Sequence, residues 1–186
     1  MKTNSIVKFS IIILICIAAY FILPWVAIFA GVSLSPNPQK PEILYAEFPF
    51  KLVFEMNGEQ RTVEDTLICE YDGIGMNEGV GKYRKWKRRL QSGNEVIVLF
   101  ETENILEQTT YGVIVSRSII FSLGTPNYYM GENEKFEYTF PDASCREIYR
   151  KGEIRSRRVS ADELFEKYGI RLISWEILPP IDNHFK

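Results

Sequence analysis

Apolar and polar positions follow two different rhythms along this chain. Residues 9–32 read FSIIILICIAAYFILPWVAIFAGV, and no charged side chain occurs between Lys8 and Lys40. At about 1.5 Å per residue such a stretch makes a helix of roughly 36 Å, enough to cross a hydrocarbon core of about 30 Å with some tilt. Beyond residue 41 the unbroken apolar run gives way to a period of two. Leu44, Ala46, Phe48, Phe50, Leu52, Phe54 and Met56 alternate with Glu47, Lys51 and Glu55, which predicts a strand with one buried and one wet face. Pro49 places that strand at a sheet edge or breaks it. Asn57-Gly58 predicts a type I′ hairpin turn, because both central residues of that turn need positive φ. The return strand covers 60–71, with Val63, Leu67, Cys69 and Tyr71 on one face.

Residues 72–82, DGIGMNEGVGK, read as a glycine-rich connection. Residues 82–89, KYRKWKRR, read as an extended segment, and Ser92-Gly93-Asn94 predicts a second hairpin joining it to the apolar run 96–100. Strands are expected at 110–116, 118–123 and 135–140, whereas 141–159 is poorly patterned and carries a second basic cluster, Arg155, Arg157 and Arg158. Ser160-Ala161-Asp162-Glu163 is a capping box, Val159 and Leu164 are spaced as a hydrophobic staple, and Gly169 stands where a helix stops. These signals predict a two-turn helix over 161–168. A closing strand over 170–178 should present Ile173, Trp175 and Ile177 on one face, with Pro179-Pro180 ending it. The expected fold is an N-terminal transmembrane helix followed by a mainly-β (α+β) domain. That domain is a twisted antiparallel sheet or sandwich with one short C-terminal helix.

The organisation follows: a cytoplasmic N-terminus (1–8), a transmembrane signal anchor (9–32), a proline-rich stalk (33–41), a β-rich extracytoplasmic domain (42–180) and a loose tail (181–186). Lys2 and Lys8 precede the span, and retention of positive charge on the cytoplasmic side orients it. Cleavage after Ala30 is the alternative and would release a secreted, soluble form. The apolar run is longer than a signal peptide needs, and Ile28 is not the small residue expected three positions before the cut. Cys16 follows the bulky Ile15, which argues for an inert thiol in lipid rather than a lipidation site.

Charge narrows the classes of partner. The chain has 22 Lys+Arg, three of them in the first forty residues, and 24 Asp+Glu, all beyond. The body is therefore acidic, which argues against nucleic acid as its partner. Cys69 and Cys145 are the thiols of the body; an exported domain can pair them, and two separate buried thiols is the alternative.

Candidate chemistry is sparse. The glycine-rich connection lacks Walker spacing, because Met76 and Tyr83 stand where Gly and Ser or Thr are needed. It also fails the dinucleotide fingerprint, with Glu78 at the third glycine, and does not match a calcium loop. His184 is the only histidine and lies in the tail, no G-x-S-x-G occurs, and the single S-x-x-K, Ser5 to Lys8, precedes the span. No cofactor or metal is expected. Three candidate sites remain. Tyr83, Arg84, Lys85, Trp86, Lys87 and Arg88 form a basic, aromatic patch able to grip an anionic envelope polymer, lipid headgroups or a partner protein. Otherwise its charges pair with acids such as Glu101, Glu103 and Glu107 as a solvated strand face. Glu70 and Asp72, at a strand end beside glycines, are where a carboxylate pair of a carbohydrate hydrolase would sit. Tyr128 and Tyr129 beside Gly131 are candidates to line a groove or to cap a sheet edge.

The phrases EFPFKLVFEMNGE, ICEYDGIGMNEGVGKYRKW and SADELFEKYGIRLISWEILPPIDN together resemble a group of uncharacterised membrane-anchored proteins of Gram-positive bacteria. The resemblance implies a bacterial cell-surface setting and brings no activity or ligand. The expectation is a non-catalytic, membrane-anchored binding module at the envelope, with the carboxylate-dependent hydrolase as its rival.

Overall fold

A computed structural model describes residues 3–132 and 142–185. Helix α1 spans Thr3–Leu34, and its segment Val7–Leu34 is long and apolar enough to cross a membrane. No side chain of Val7–Leu34 is buried, as expected of a helix solvated by lipid. Pro24 lies inside it.

The strands are β1 (Tyr45–Met56), β2 (Glu59–Asn77), β3 (Gly81–Leu90), β4 (Ile97–Thr109), β5 (Gly112–Phe121), β6 (Ala143–Tyr149), β7 (Ile154–Val159) and β8 (Ile170–Ile177); α2 (Pro126–Tyr129) and α3 (Ala161–Tyr168) interrupt the series. They form two four-stranded sheets, β3-β2-β1-β8 and β4-β5-β6-β7. The expected mainly-β body with a short C-terminal helix is thus a pair of antiparallel sheets. Every hydrogen-bonded neighbour is adjacent in sequence except β8, which returns to pair with β1. Short meanders explain that order, since each turn delivers the chain to an antiparallel partner.

Asn57 and Gly58 both take positive φ, 54° and 84°, and close β1 onto β2 as their types demand. The alternating face of β1 is buried through Phe48, Phe50, Leu52 and Phe54. In one core they meet Leu67 and Cys69 of β2 and Ile119 and Phe121 of β5. Trp175 joins the sheets, with ring centroids 4.9 Å from Phe50 and 4.8 Å from Phe121.

Several expectations are corrected. β1 is central, not an edge; Pro49 is tolerated because β8 begins pairing only at Phe50. Residues 72–82 are not a loop: β2 runs on through Asn77 and turns into β3 within three residues. Gly75 permits this, because a Cβ there would run into the Tyr83 ring. The turn at 92–94 is no hairpin; it carries the chain from β3 in one sheet to β4 in the other. Residues 110–116 and 118–123 are a tight turn and a single strand, β5. The unpatterned 141–159 contains a regular β6–β7 hairpin, while the strand expected at 135–140 lies outside the described residues.

The helix signals work as read, with one change. Ser160 Oγ accepts from the Glu163 N–H at 3.2 Å, Val159 and Leu164 are buried, and Gly169 takes φ 63° at the C-terminus. The Glu163 carboxylate, however, accepts from Arg157 and Lys167. In β8, Ile173 is the extra residue of a bulge, between Leu172 opposite Phe54 and Ser174 opposite Val53. The bulge switches the face, so Ile173 is exposed while Leu172, Trp175 and Ile177 turn inward.

The tail is also corrected: it is docked. Asn183 is buried, accepts from the N–H groups of Glu42 and Ile43 at 3.0 and 3.1 Å, and donates to the Ile43 carbonyl at 3.0 Å. Phe185 bridges to Pro41, and the Ile181 N–H donates to the Tyr129 carbonyl. Gly131, at φ 72°, leaves room for this, since a Cβ there would lie 2.8 Å from the Ile181 oxygen.

By internal contacts the chain forms two compact units. One comprises α1, the segment that follows it through Lys40, and Asp72–Lys85; the other comprises Pro41–Tyr71 and Trp86–Phe185.

Candidate functional site

The register of the second sheet sets up a cleft. Phe121, Ala143 and Val159 form one cross-strand rung; Ile119, Cys145 and Arg157 form the next; Arg117, Glu147 and Arg155 form the third. Directly opposed residues in antiparallel strands share a face. The core-facing side of the sheet therefore passes from apolar to charged within three rungs. Beyond the last rung, Glu107, Tyr111 and Tyr149 complete a cleft of about 410 Å³.

Arg117 is its centre. Nη2 is 2.8 Å from Glu107 Oε2 and 2.9 Å from Glu147 Oε1, and Nε donates to the latter oxygen at 3.0 Å. Burial disfavours the charged guanidinium, but the hydrogen bonds it donates to Glu147 and Glu107 outweigh it and leave its pKa raised. The other Glu147 oxygen accepts from the Tyr149 hydroxyl at 3.1 Å. Arg155 stacks 3.6 Å from the Tyr111 centroid and donates to Glu153 at 2.7 Å. Tyr111, in the β4–β5 turn, stays 62% exposed. Below the charged rung, the Cys145 Sγ lies 3.7 Å from the Tyr168 hydroxyl, whose pKa is pushed up to about 12 by burial and by that contact. Arg155 and Arg157 stood out in the sequence as a basic cluster, Cys145 as a thiol and Glu107 as an acid assigned to another patch, and nothing there joined them. Glu107, Arg117 and Glu147 come from three strands whose pairing no local pattern announces.

The basic patch is real as sequence but occupied as structure. Trp86 is buried against Tyr71, with centroids 5.4 Å apart, and its Nε1–H donates to Glu132. Arg88 donates to the Gly124 carbonyl, and Arg89 pairs with Glu70 at 3.1 Å. In the other unit Lys82 donates to the Ser35 carbonyl at 2.7 Å and Arg84 to that of Gln39 at 3.1 Å. There Lys85 pairs with Asp72 at 2.9 Å, and this hydrogen bond, followed by the charge of Asp72, raises the lysine pKa. Tyr83 covers Gly75. The acids that answer the patch are thus Glu70 and Asp72 on β2, not those of β4, which is in the other sheet. Each proposed catalytic carboxylate is tied to its own cation.

Tyr129 is fully buried and donates to the Leu123 carbonyl at 2.8 Å, so it is core, with Tyr128 edge-on to it. Cys69 and Cys145 are separate buried thiols, and burial pushes Cys69 up to about 12. Among the described residues no group of three or more His, Cys, Asp or Glu is placed to hold a metal ion.

Neither protein-family models, curated proteins nor solved structures contain a match to this chain.

Proposed function

We propose that the chain is a single-pass membrane protein whose β-sandwich serves, outside the cytoplasm, as a non-catalytic binding module of the bacterial envelope. The apolar helix and the two lysines before its uncharged run support the placement. The binding site is the Arg117 cleft, and the half-buried Arg117–Glu147 pair, where the core-facing side of the sheet turns from apolar to charged, is the observation that carries this. Burying such a pair is costly unless its geometry is good, so it is weak as a device for stability alone. Each cation of the cleft has a carboxylate partner, Arg117 in Glu107 and Glu147 within the lining, and Arg155 and Arg157 in Glu153 and Glu163 outside it, so charges balance pair by pair. That balance, with planar donors and acceptors beside an exposed phenol ring, suits a neutral polyhydroxylated ligand such as an envelope saccharide.

The carboxylate hydrolase is the second reading, and Glu107 and Glu147 now fit it better than Glu70 and Asp72, because they share a cleft. Both carboxylates are taken up by the same guanidinium, that of Arg117, and this favours binding over catalysis. Detergent-solubilised full-length protein, incubated with insoluble envelope fractions at low and high salt, tests the reading. Retention should survive salt and fall at least about tenfold with Tyr111→Ala. Retention abolished by salt and by reversing Arg84, Lys85, Lys87 and Arg88 would return the site to the basic patch. Release of soluble sugar would favour the hydrolase. N-terminal sequencing of the cellular protein distinguishes the anchored form from one cut near Ala30.

A further inference from the structure

The tip of the β2–β3 hairpin carries apolar side chains that the sandwich core does not use. Ile74 and Met76, two apart on β2, are 42% and 46% exposed, and Val80 in the turn is 73% exposed. The same tip lies against the C-terminal end of α1. Ser33 Oγ contacts Met76 Sδ at 3.8 Å, and Phe29 and Val32 share a cavity of about 360 Å³ with Met76, Asn77 and Glu78. Lys82 donates to the Ser35 carbonyl, just past the last turn of α1, where a cation is favoured by the helix dipole.

Helix length then decides where this contact falls. The 28 residues Val7–Leu34 extend about 42 Å at 1.5 Å each, roughly 12 Å more than a 30 Å hydrocarbon core. With Lys8 at the inner boundary, about twenty residues fill the core and the turn holding Phe29 to Ser33 emerges into the opposite interface. Whatever packs on that turn sits at the same depth. The hairpin segment also matches the interface in charge, with Lys82, Arg84 and Lys85 against Asp72 and Glu78. Apolar side chains at the tip, with charged ones behind them, suit the boundary between acyl chains and headgroups.

We infer that the β2–β3 hairpin tip is a second membrane contact, with Ile74, Met76 and Val80 dipping into the outer leaflet beside α1. This rests on the reading of α1 as a retained span. The hairpin then braces the stalk, through Lys82 on Ser35 and Arg84 on Gln39, instead of leaving it a free tether.

The test uses the full-length chain with Cys16→Ala, reconstituted into vesicles of phosphatidylglycerol and phosphatidylcholine. A polarity-sensitive fluorophore is attached at Val80→Cys or, in a separate protein, at Leu14→Cys, with lipids carrying quenchers at shallow or deep positions. The expected result is deep quenching at position 14, and shallow quenching with a blue-shifted emission at position 80. Quenching at 14 with a water-like spectrum at 80 would overturn the hairpin contact and leave the span intact. Absence of lipid quenching at both positions would overturn the span and the hairpin contact with it. Reversing the tip with Ile74→Asp and Met76→Asp, well outside the sandwich core, should return the label at 80 to a water-like spectrum while that at 14 stays quenched; an unchanged label at 80 would count against the apolar tip as the cause.

Discussion

Arg117 on β5 and Glu147 on β6 stand opposite each other in the register, and two guanidinium nitrogens of Arg117 reach the same carboxylate oxygen, at 3.0 Å from Nε and 2.9 Å from Nη2. Both side chains are about four-fifths withdrawn from water, 20% and 17% exposed, whereas Glu107 on the far side of Arg117 is 48% exposed. Glu147→Ala should therefore cost about 2 kcal/mol, because it removes the more buried of the two carboxylates that compensate a half-buried cation, and Glu107→Ala less than about 1 kcal/mol. The double variant Arg117→Met/Glu147→Leu should be more stable than Glu147→Ala. Urea unfolding followed by tryptophan fluorescence measures all three, and equal losses for Glu147 and Glu107 would contradict the central role of the pair.

Asn183 holds the tail by three hydrogen bonds to the backbone of Glu42 and Ile43. Asn183→Ala leaves those groups with poorer partners and should destabilise the protein by about 2 kcal/mol. A tail that was loose would show no effect, so the midpoint of urea unfolding discriminates directly.

Glu163 has an acid-side signature. Hydrogen bonds from Arg157, then from Lys167, lower its carboxyl from 4.5 to about 2. A carboxyl depressed in the folded state contributes stability above its unfolded value and loses that contribution as pH falls toward its folded value. Stability should thus decline from about pH 4.5 toward about pH 2, with a shallower slope in Glu163→Gln. The effect is modest because the group is screened by water. Melting temperatures across that range, wild type against variant, check the slope.

The thiols of the body should be inert in the folded protein. Cys69 and Cys145 are both fully buried, and Cys69 is additionally held protonated by its apolar surroundings. In the Cys16→Ala variant an aromatic disulfide reagent at mild alkaline pH should find no rapidly reacting thiol until denaturant is added, and two thereafter. One fast thiol in the native protein would show that Cys145 is reached through the cleft.

Elements announced by local chemistry were legible in the sequence: the apolar helix, the Asn57-Gly58 hairpin and the Ser160-to-Gly169 helix each carry their own start or stop signal. Pattern misled where a neighbour decides. Ile173 belongs to the alternation of its strand until the bulge opposite Val53 and Phe54 turns it outward. Lys82 to Arg89 read as a displayed patch because sequence does not show that Glu70, Asp72 and main-chain carbonyls take up its charges.

By itself the sequence determined the division between a lipid-compatible rod and a two-period, strand-forming body, since periodicity and turn residues act over a few positions and need no distant partner. Tertiary structure alone decided that β8 closes onto β1, that the tail is pinned by Asn183, and that Glu107, Arg117 and Glu147 meet. Those outcomes depend on which strands become neighbours, and pairing between segments far apart in the chain is set by burial of the whole core rather than by any residue's own preference.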